Sequence, residues 1–186
     1  MNIINCGIYG PKIIYPEIFK DERGFFFETW QNKRYINEGV PDIFVQDSIS
    51  LSKKGVKRGL HFQNPNTQAK LVSVIKGEIF DVAVDIRFGS PTFSKWVGKT
   101  LDDKTYNQFY IPKGFAHGYC VLSNEAIILY KLSDYYTPSS EKGIFCDDPD
   151  IGINWPNMKF LMNSRDTNFP LLKYVPKDFL PEYIQE

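Results

Sequence analysis

Apolar and polar positions alternate most strictly between Phe80 and Arg87, where Phe80, Val82, Val84 and Ile86 interleave with Asp81, Ala83, Asp85 and Arg87. A period of two puts the sets on opposite sides of a β-strand, so its sheet has unlike faces. The preceding run, Lys70 to Lys76, is also strand-like, and Lys76-Gly77 reads as a hairpin turn between the two. Upstream, Lys12 to Phe19 and Phe25 to Trp30 read as strands. The turn between them is Lys20-Asp21-Glu22-Arg23-Gly24, where Asp initiates and Gly accepts positive φ. Gln31 to Glu38, followed by Gly39 and Pro41, reads as a short helix with a glycine stop. Ile43 to Leu51 reads as a strand, Ser52 to Gly55 as a loop, and Gly55 to Lys70 as a largely apolar, strand-like stretch.

Asn107 to Ile111, Gly118 to Leu122 and Ala126 to Ser133 continue as short strands separated by Gly, Pro, Asn and Ser. After Cys146, Pro149, Pro156, Pro170, Pro176 and Pro181 break the pattern, leaving loops and a short helix near Pro176 to Leu180. Short strands at spacings of about 8 to 12 residues argue for a sandwich or barrel over a βαβ architecture. The expectation is an all-β jelly roll with short peripheral helices. At 186 residues it is read as one domain, with a core of about residues 40–146, N-terminal strands before it and a loop-rich segment after it. An aromatic content of 16% suits such a β-rich chain.

Charge narrows the partners. Lys and Arg number 22 against 22 Asp and Glu, so no global field draws the protein to nucleic acid or an anionic membrane. Any anionic ligand must be held by a local cluster. Neither a signal peptide nor an apolar run of membrane-spanning length is found, which makes the cytoplasm the expected compartment. Cys6, Cys120 and Cys146 are odd in number and far apart, so they read as small buried residues and not as a disulfide framework or CxxC site.

The chain has two histidines. His61 lies between Arg58 and Lys70, as either a packed core residue or a proton-transfer group. His117 ends Ile111-Pro112-Lys113-Gly114-Phe115-Ala116-His117, which has the PxGxxH form of a cupin's second motif. A cupin metal site also needs an HxH pair and a Glu from the first motif, and only His61 is available there. Two histidines cannot make a three-histidine site, so metal-free work is expected. On a histidine, that means proton transfer, which needs a base, an orienting partner and a group to hold the developing charge. His61 is the candidate base and Lys70 the candidate charge holder. Carboxylates and tyrosines are too many for pattern alone to choose among.

The motifs DERGFFFETW, RGLHFQ followed by KLV, GEIFDVAVDIR, GSPTF, IPKGFAHGY, YKLSDYY and DDPDIGINWP resemble, in order and over nearly the whole chain, the dTDP-4-dehydrorhamnose 3,5-epimerase family. The resemblance implies a cupin-like jelly roll (double-stranded β-helix) working as a homodimer. It implies epimerisation of C3 and C5 of a dTDP-4-keto-6-deoxy-hexose, without metal or organic cofactor, towards dTDP-L-rhamnose. The chemistry is consistent with that. A proton α to the C4 ketone is removable because the anion delocalises onto the C4 oxygen, so the substrate supplies its own electron sink.

By the same resemblance His61 is the general base, Asp166 its orienting carboxylate, Lys70 the enolate-stabilising cation and Tyr130 the acid that reprotonates C5. Arg23, Glu28, Gln46, Asp47, Ser48, Arg58, Lys70, His117, Glu141 and Arg165 match positions that contact the sugar nucleotide, and Tyr136 one that stacks on thymine. Arginines suit a diphosphate because a planar guanidinium pairs with it bidentately. Asp81 resembles a strand carboxylate that backs up His117 or His61. Three positions depart from the family: Ser48 stands where Asn is usual, Arg165 where Lys is common, and Cys146 where Trp is common. Strict alternation also sends Arg58 and His61 to opposite faces, so either the strand ends or bulges near Gly59 or Arg58 serves a site edge. Two alternatives stay beside the double epimerase: an epimerase acting at C3 only, and a non-catalytic sugar-nucleotide-binding jelly roll.

Overall fold

Residues 1–184 are described by a computed structural model. β1 (Asn2–Asn5) pairs with β2 (Lys12–Tyr15), and β2 stops at Pro16, which has no N–H for the ladder. The strand expected over Lys12 to Phe19 is therefore two. β3 (Phe19–Asp21) turns through Glu22-Arg23 into β4 (Gly24–Phe26), which ends well before Trp30. The expected helix is α1 (Asn32–Asn37), capped by the Gln31 side chain, which accepts from the Arg34 N–H at 2.6 Å. Then come β5 (Gln46–Lys53), β6 (Lys57–Gln63), β7 (Lys70–Lys76), β8 (Glu78–Asp85), β9 (Trp96–Asp102), β10 (Gln108–Ile111), β11 (Phe115–Val121), β12 (Glu125–Leu132) and β13 (Glu141–Gly143). β9 and β13 went unmarked by alternation. Near the C-terminus, α2 (Ser164–Thr167) and two 3₁₀ turns, at Leu172–Tyr174 and Lys177–Phe179, are the helical pieces among the described residues.

The strands sort into a six-stranded sheet, β1-β2-β10-β7-β12-β5, and a five-stranded one, β13-β6-β11-β8-β9, with β3 and β4 as a separate hairpin. All pairings within them are antiparallel, and from β5 onward each strand passes to the other sheet except at β8–β9, which is the jelly roll expected. That crossing corrects one detail. Lys76-Gly77 is a corner between sheets, not a hairpin turn, since β7 lies in the six-stranded sheet and β8 in the five-stranded one. Gly77 is required there: its φ is +88°, and a Cβ would stand 2.2 Å from the Glu125 carbonyl oxygen.

Three cores follow from this layering. Between the sheets, Val72, Val74, Ile79, Ala83, Phe109, Val121 and Ile128 pack together. On the outer side of the five-stranded sheet, Leu60, Phe62, Val82, Val84 and Ile86 are covered by Ile151, Leu172, Val175 and Leu180 from the C-terminal segment. Lys57 fastens that segment as well: fully buried, it ion-pairs with Asp147 at 2.7 Å and lies over the rings of Phe160 and Trp155. The third core lies under α1.

The unlike faces of β8 are thus both buried. Its apolar set meets the C-terminal segment, while Asp81 sits on the pocket side beside His117. β5 goes further: Gln46, Ser48 and Ser50 line the pocket, and Ile49 and Leu51 are 69% and 61% exposed outside.

Candidate active site

A pocket of about 340 Å³ opens between the two sheets. Arg58 and His61 both line it, although they are three residues apart on β6. The pairing explains how. His61 is opposite His117 and Arg58 is opposite Tyr119, so three steps on β6 match two on β11 and the strand bulges. The extra residue reverses the alternation and brings both side chains inward. Gly59 makes this possible: its φ is +118°, and a Cβ there would be 2.6 Å from the Gly118 Cα and 2.7 Å from the His117 carbonyl oxygen.

Asp166 reaches the bulge from α2. The Asn163 side chain caps this single turn by accepting from the Asp166 N–H at 2.7 Å, which fixes the carboxylate's direction. Asp166 is 1% exposed; Oδ2 accepts from the Gly59 N–H at 3.0 Å and Oδ1 from His61 Nε2 at 2.9 Å. Burial raises its pKa, but His61, the Gly59 N–H and Arg165 outweigh burial and leave it below the usual value. An ionised Asp166 has no proton to give, so Nε2 is the donor and Nδ1 carries the lone pair. The Phe169 ring packs edge-on against the imidazole at 5.7 Å, in the space left by Gly143.

Lys70 and Tyr130 enter the pocket from β7 and β12, in the sheet facing His61. Desolvation lowers the Lys70 pKa to about 8, opposed by the charges of Asp81 and then Glu141. Tyr130 is raised by burial and by Tyr119, against Arg58 and a hydrogen bond with Ser50, so its phenol is protonated at neutral pH. His117 donates from Nε2 to Asp81 at 2.6 Å. Its pKa is lowered chiefly by burial, with Lys70 and His61 adding to the effect and Asp81 opposing it.

At the rim, Arg165 donates to Glu141 Oε2 at 2.7 Å, as does the Tyr136 hydroxyl at 2.8 Å, and Arg165 Nη2 stands 3.2 Å from His61 Nε2. Gln46 accepts from the Tyr136 N–H at 2.9 Å and donates to Ser48 at 3.2 Å. Asp47 points the other way and ion-pairs with Lys131 at 2.9 Å on the outer face. Arg23 and Glu28 are also outside this pocket: Arg23 pairs with Asp21 in the β3–β4 hairpin, and Glu28 with Arg34 at 2.6 Å. Among the described residues, no group of three or more His, Cys, Asp and Glu side chains is placed to hold a metal ion.

A family model described as dTDP-4-dehydrorhamnose 3,5-epimerase matches residues 5–174. The chain belongs to that family. A Shigella flexneri protein named dTDP-4-dehydrorhamnose 3,5-epimerase is 47% identical over 182 residues, 96% of this chain and 99% of that protein. A Neisseria gonorrhoeae protein of the same name is 51% identical over 157 residues, 84% of this chain; the match spans about half (48%) of that longer relative. The crystal structure of a dTDP-6-deoxy-D-glucose-3,5-epimerase from Legionella pneumophila, in complex with dTDP-4-keto-L-rhamnose, superposes with a TM-score of 0.96 at 52% identity and covers 99% of each chain.

For this family member, reading the sequence missed Gln63, Gln68, Tyr119, Phe169 and Ser50. Gln63 and Gln68 hold the loop after β12 by donating to the Tyr135 and Asp134 carbonyls, at 3.3 and 2.8 Å. Tyr119 contacts Ser50 and Ser52 at 3.2 and 3.4 Å. The period-two position of Tyr119, two residues beyond His117, was the available signal for that residue. Nothing local marks Phe169.

Proposed function

We propose that the chain epimerises C3 and C5 of dTDP-4-dehydro-6-deoxy-D-glucose by removing protons α to the C4 ketone, within dTDP-L-rhamnose biosynthesis. The observation that carries this reading is that His61, paired with Asp166 from α2, lies on one sheet and Lys70 with Tyr130 on the facing one, across a shared pocket. Inversion of a carbon needs that opposition, because the proton leaves from one face and returns to the other.

In the reaction, His61 Nδ1 takes the C3 proton and the C–H electron pair forms a C3–C4 double bond, placing negative charge on the C4 oxygen. Lys70 donates a hydrogen bond to that oxygen. Collapse of the enolate with a proton taken from water on the opposite face restores the ketone with C3 inverted, and the imidazolium gives the abstracted proton to water. At C5 the same base acts and Tyr130 gives the returning proton. Asp166 keeps Nδ1 as the basic nitrogen and stabilises the imidazolium that forms. Arg58 and Arg165 suit the diphosphate, Gln46, Ser48 and His117 the polar groups beside it, and the half-exposed ring of Tyr136 the thymine face.

The reading extends to a homodimer. Ile49 and Leu51 on β5, an edge strand, pair in register with Leu129 and Ile127 on β12, forming an apolar outer face. Phe19, Phe25 and Phe26 on the β3–β4 hairpin are also exposed. A second copy covering these surfaces would also bring Arg23 and Glu28 to a neighbour's pocket, where their own chain does not use them. Light scattering should give twice the mass of one chain. The three cysteines are unpaired, which supports a reducing compartment such as the cytoplasm.

Incubation with dTDP-4-keto-6-deoxyglucose in D₂O, with deuterium located by NMR, tests the activity. Label at C3 and C5 supports the double epimerase. Label at C3 alone assigns a C3-only enzyme, and none leaves a binding protein.

A further inference from the structure

Asp81 has no part in the proton transfers given to His61 and Tyr130, yet it is completely buried beside the pocket. Oδ1 accepts from His117, and Oδ2 accepts from nothing among the described residues. A carboxylate removed from water needs a full set of donors or a nearby cation. Lys70 lines the same pocket, and its ammonium makes no hydrogen bond or ion pair among the described residues, so the Asp81 charge acts on it through the pocket without direct contact.

We propose that Asp81 is a positioning residue for the reaction: its buried charge keeps Lys70 cationic in the pocket, and its hydrogen bond holds His117 as an Nε2–H donor. The proposal rests on Lys70 being the cation that meets the enolate oxygen.

The surrounding charges explain why Asp81 and not another group has this task. Arg58 and Arg165 are positive, and His61 and His117 are further positive charges whenever they are protonated, so all four oppose a cationic Lys70. Tyr130 and Tyr136 are neutral phenols at neutral pH. Asp166 is already engaged by His61, the Gly59 N–H and Arg165. Glu141 is partly exposed and shared between Arg165 and Tyr136, so its field at Lys70 is largely compensated. Asp81 is fully buried, and its Oδ2 accepts from nothing among the described residues. In agreement, it is the foremost group opposing the desolvation that brings Lys70 down to about 8.

Lys70 serves the C4 oxygen, common to both enolates, so loss of Asp81 should slow exchange at C3 and C5 together. It should also move the alkaline limb of the pH–rate profile. Lys70 acts while protonated, so activity falls as pH rises through its pKa; without Asp81 that pKa drops and the limb moves to lower pH. In Asp81→Asn we expect a downward shift of about one pH unit, with much of the wild-type rate regained on the acid side. Asp81→Glu, which keeps the charge, should keep the limb near its wild-type position. Asp81→Ser, smaller and still able to accept from His117, serves if the amide does not fold. A ¹³C-lysine NMR titration of the ligand-free protein, with the Lys70 signal assigned from Lys70→Arg, reads the same shift without turnover. It therefore decides the proposal even if the protein catalyses no exchange. An unmoved Lys70 titration in folded Asp81→Asn or Asp81→Ser, or an equal shift in Asp81→Glu, overturns it.

Discussion

Two His–Asp pairs face each other across β6 and β11, made of the same residue types and opposite in register, yet their surroundings differ. His61 is about a fifth exposed, and its carboxylate arrives from a distant turn with both oxygens satisfied by N–H donors. His117 is more buried, and its carboxylate comes from the adjacent strand with one oxygen unpartnered among the described residues. A histidine that must take up a proton needs access to substrate and a settled counter-charge, as His61 has. A histidine pressed towards neutrality by burial and a neighbouring lysine serves better as a fixed donor, as His117 does. Residue type alone does not distinguish base from binder; solvent and the second carboxylate oxygen do.

The largest expected effect that bears on this contrast is that of His61→Asn, which should lower deuterium exchange at both C3 and C5 by about 10² to 10⁴-fold, the usual contribution of general base catalysis. Comparable loss in His117→Asn would erase the distinction between the pairs. Next, Asp166→Asn should cost about 10²-fold in exchange rate, since the amide can present an N–H to Nε2 and favour the wrong tautomer. The same variant has a stability signature. The folded pKa of Asp166 lies below its unfolded value of 3.8, so its stabilisation is present above that value and is lost as pH falls through the folded pKa. Denaturant midpoints of wild type and Asp166→Asn should therefore converge in acid.

A smaller effect belongs to pH. Because Lys70 must be protonated and its pKa is about 8, wild-type exchange should decline above that pH, about tenfold per unit. A profile flat to pH 10 would remove Lys70 as the charge holder. Smallest is His117→Gln, which keeps a donor for Asp81; roughly threefold to tenfold is expected, mainly in KM, as for one binding hydrogen bond. A loss confined to kcat would give His117 a chemical role.

Much of the fold was legible because strand alternation is a local property. The runs around Lys70, Glu78, Gln108 and Glu125 became β7, β8, β10 and β12 nearly as expected. The hairpin at Lys76-Gly77 did not survive, since a turn signal cannot say whether the next strand stays in the same sheet. In the site, resemblance named His61, Lys70, Tyr130 and Asp166, and the fold brings all four together around one pocket or its wall. Arg23, Glu28 and Asp47 are not brought to it within one chain.

By itself the sequence determined the strand runs, the punctuating glycines and prolines, the scarcity of histidine that rules out a three-histidine metal site, and the motifs that carry the family. These depend on neighbours a few residues away or on composition. The tertiary structure alone decided that a bulge at Gly59 turns Arg58 and His61 to the same side, and that Asp166 meets a histidine 105 residues earlier. It also decided that β5 sends its serines inward and its isoleucine and leucine outward. Those outcomes are set by which strands pair, in what register, and which sheet face encloses the pocket. They are long-range contacts, and local pattern does not specify them.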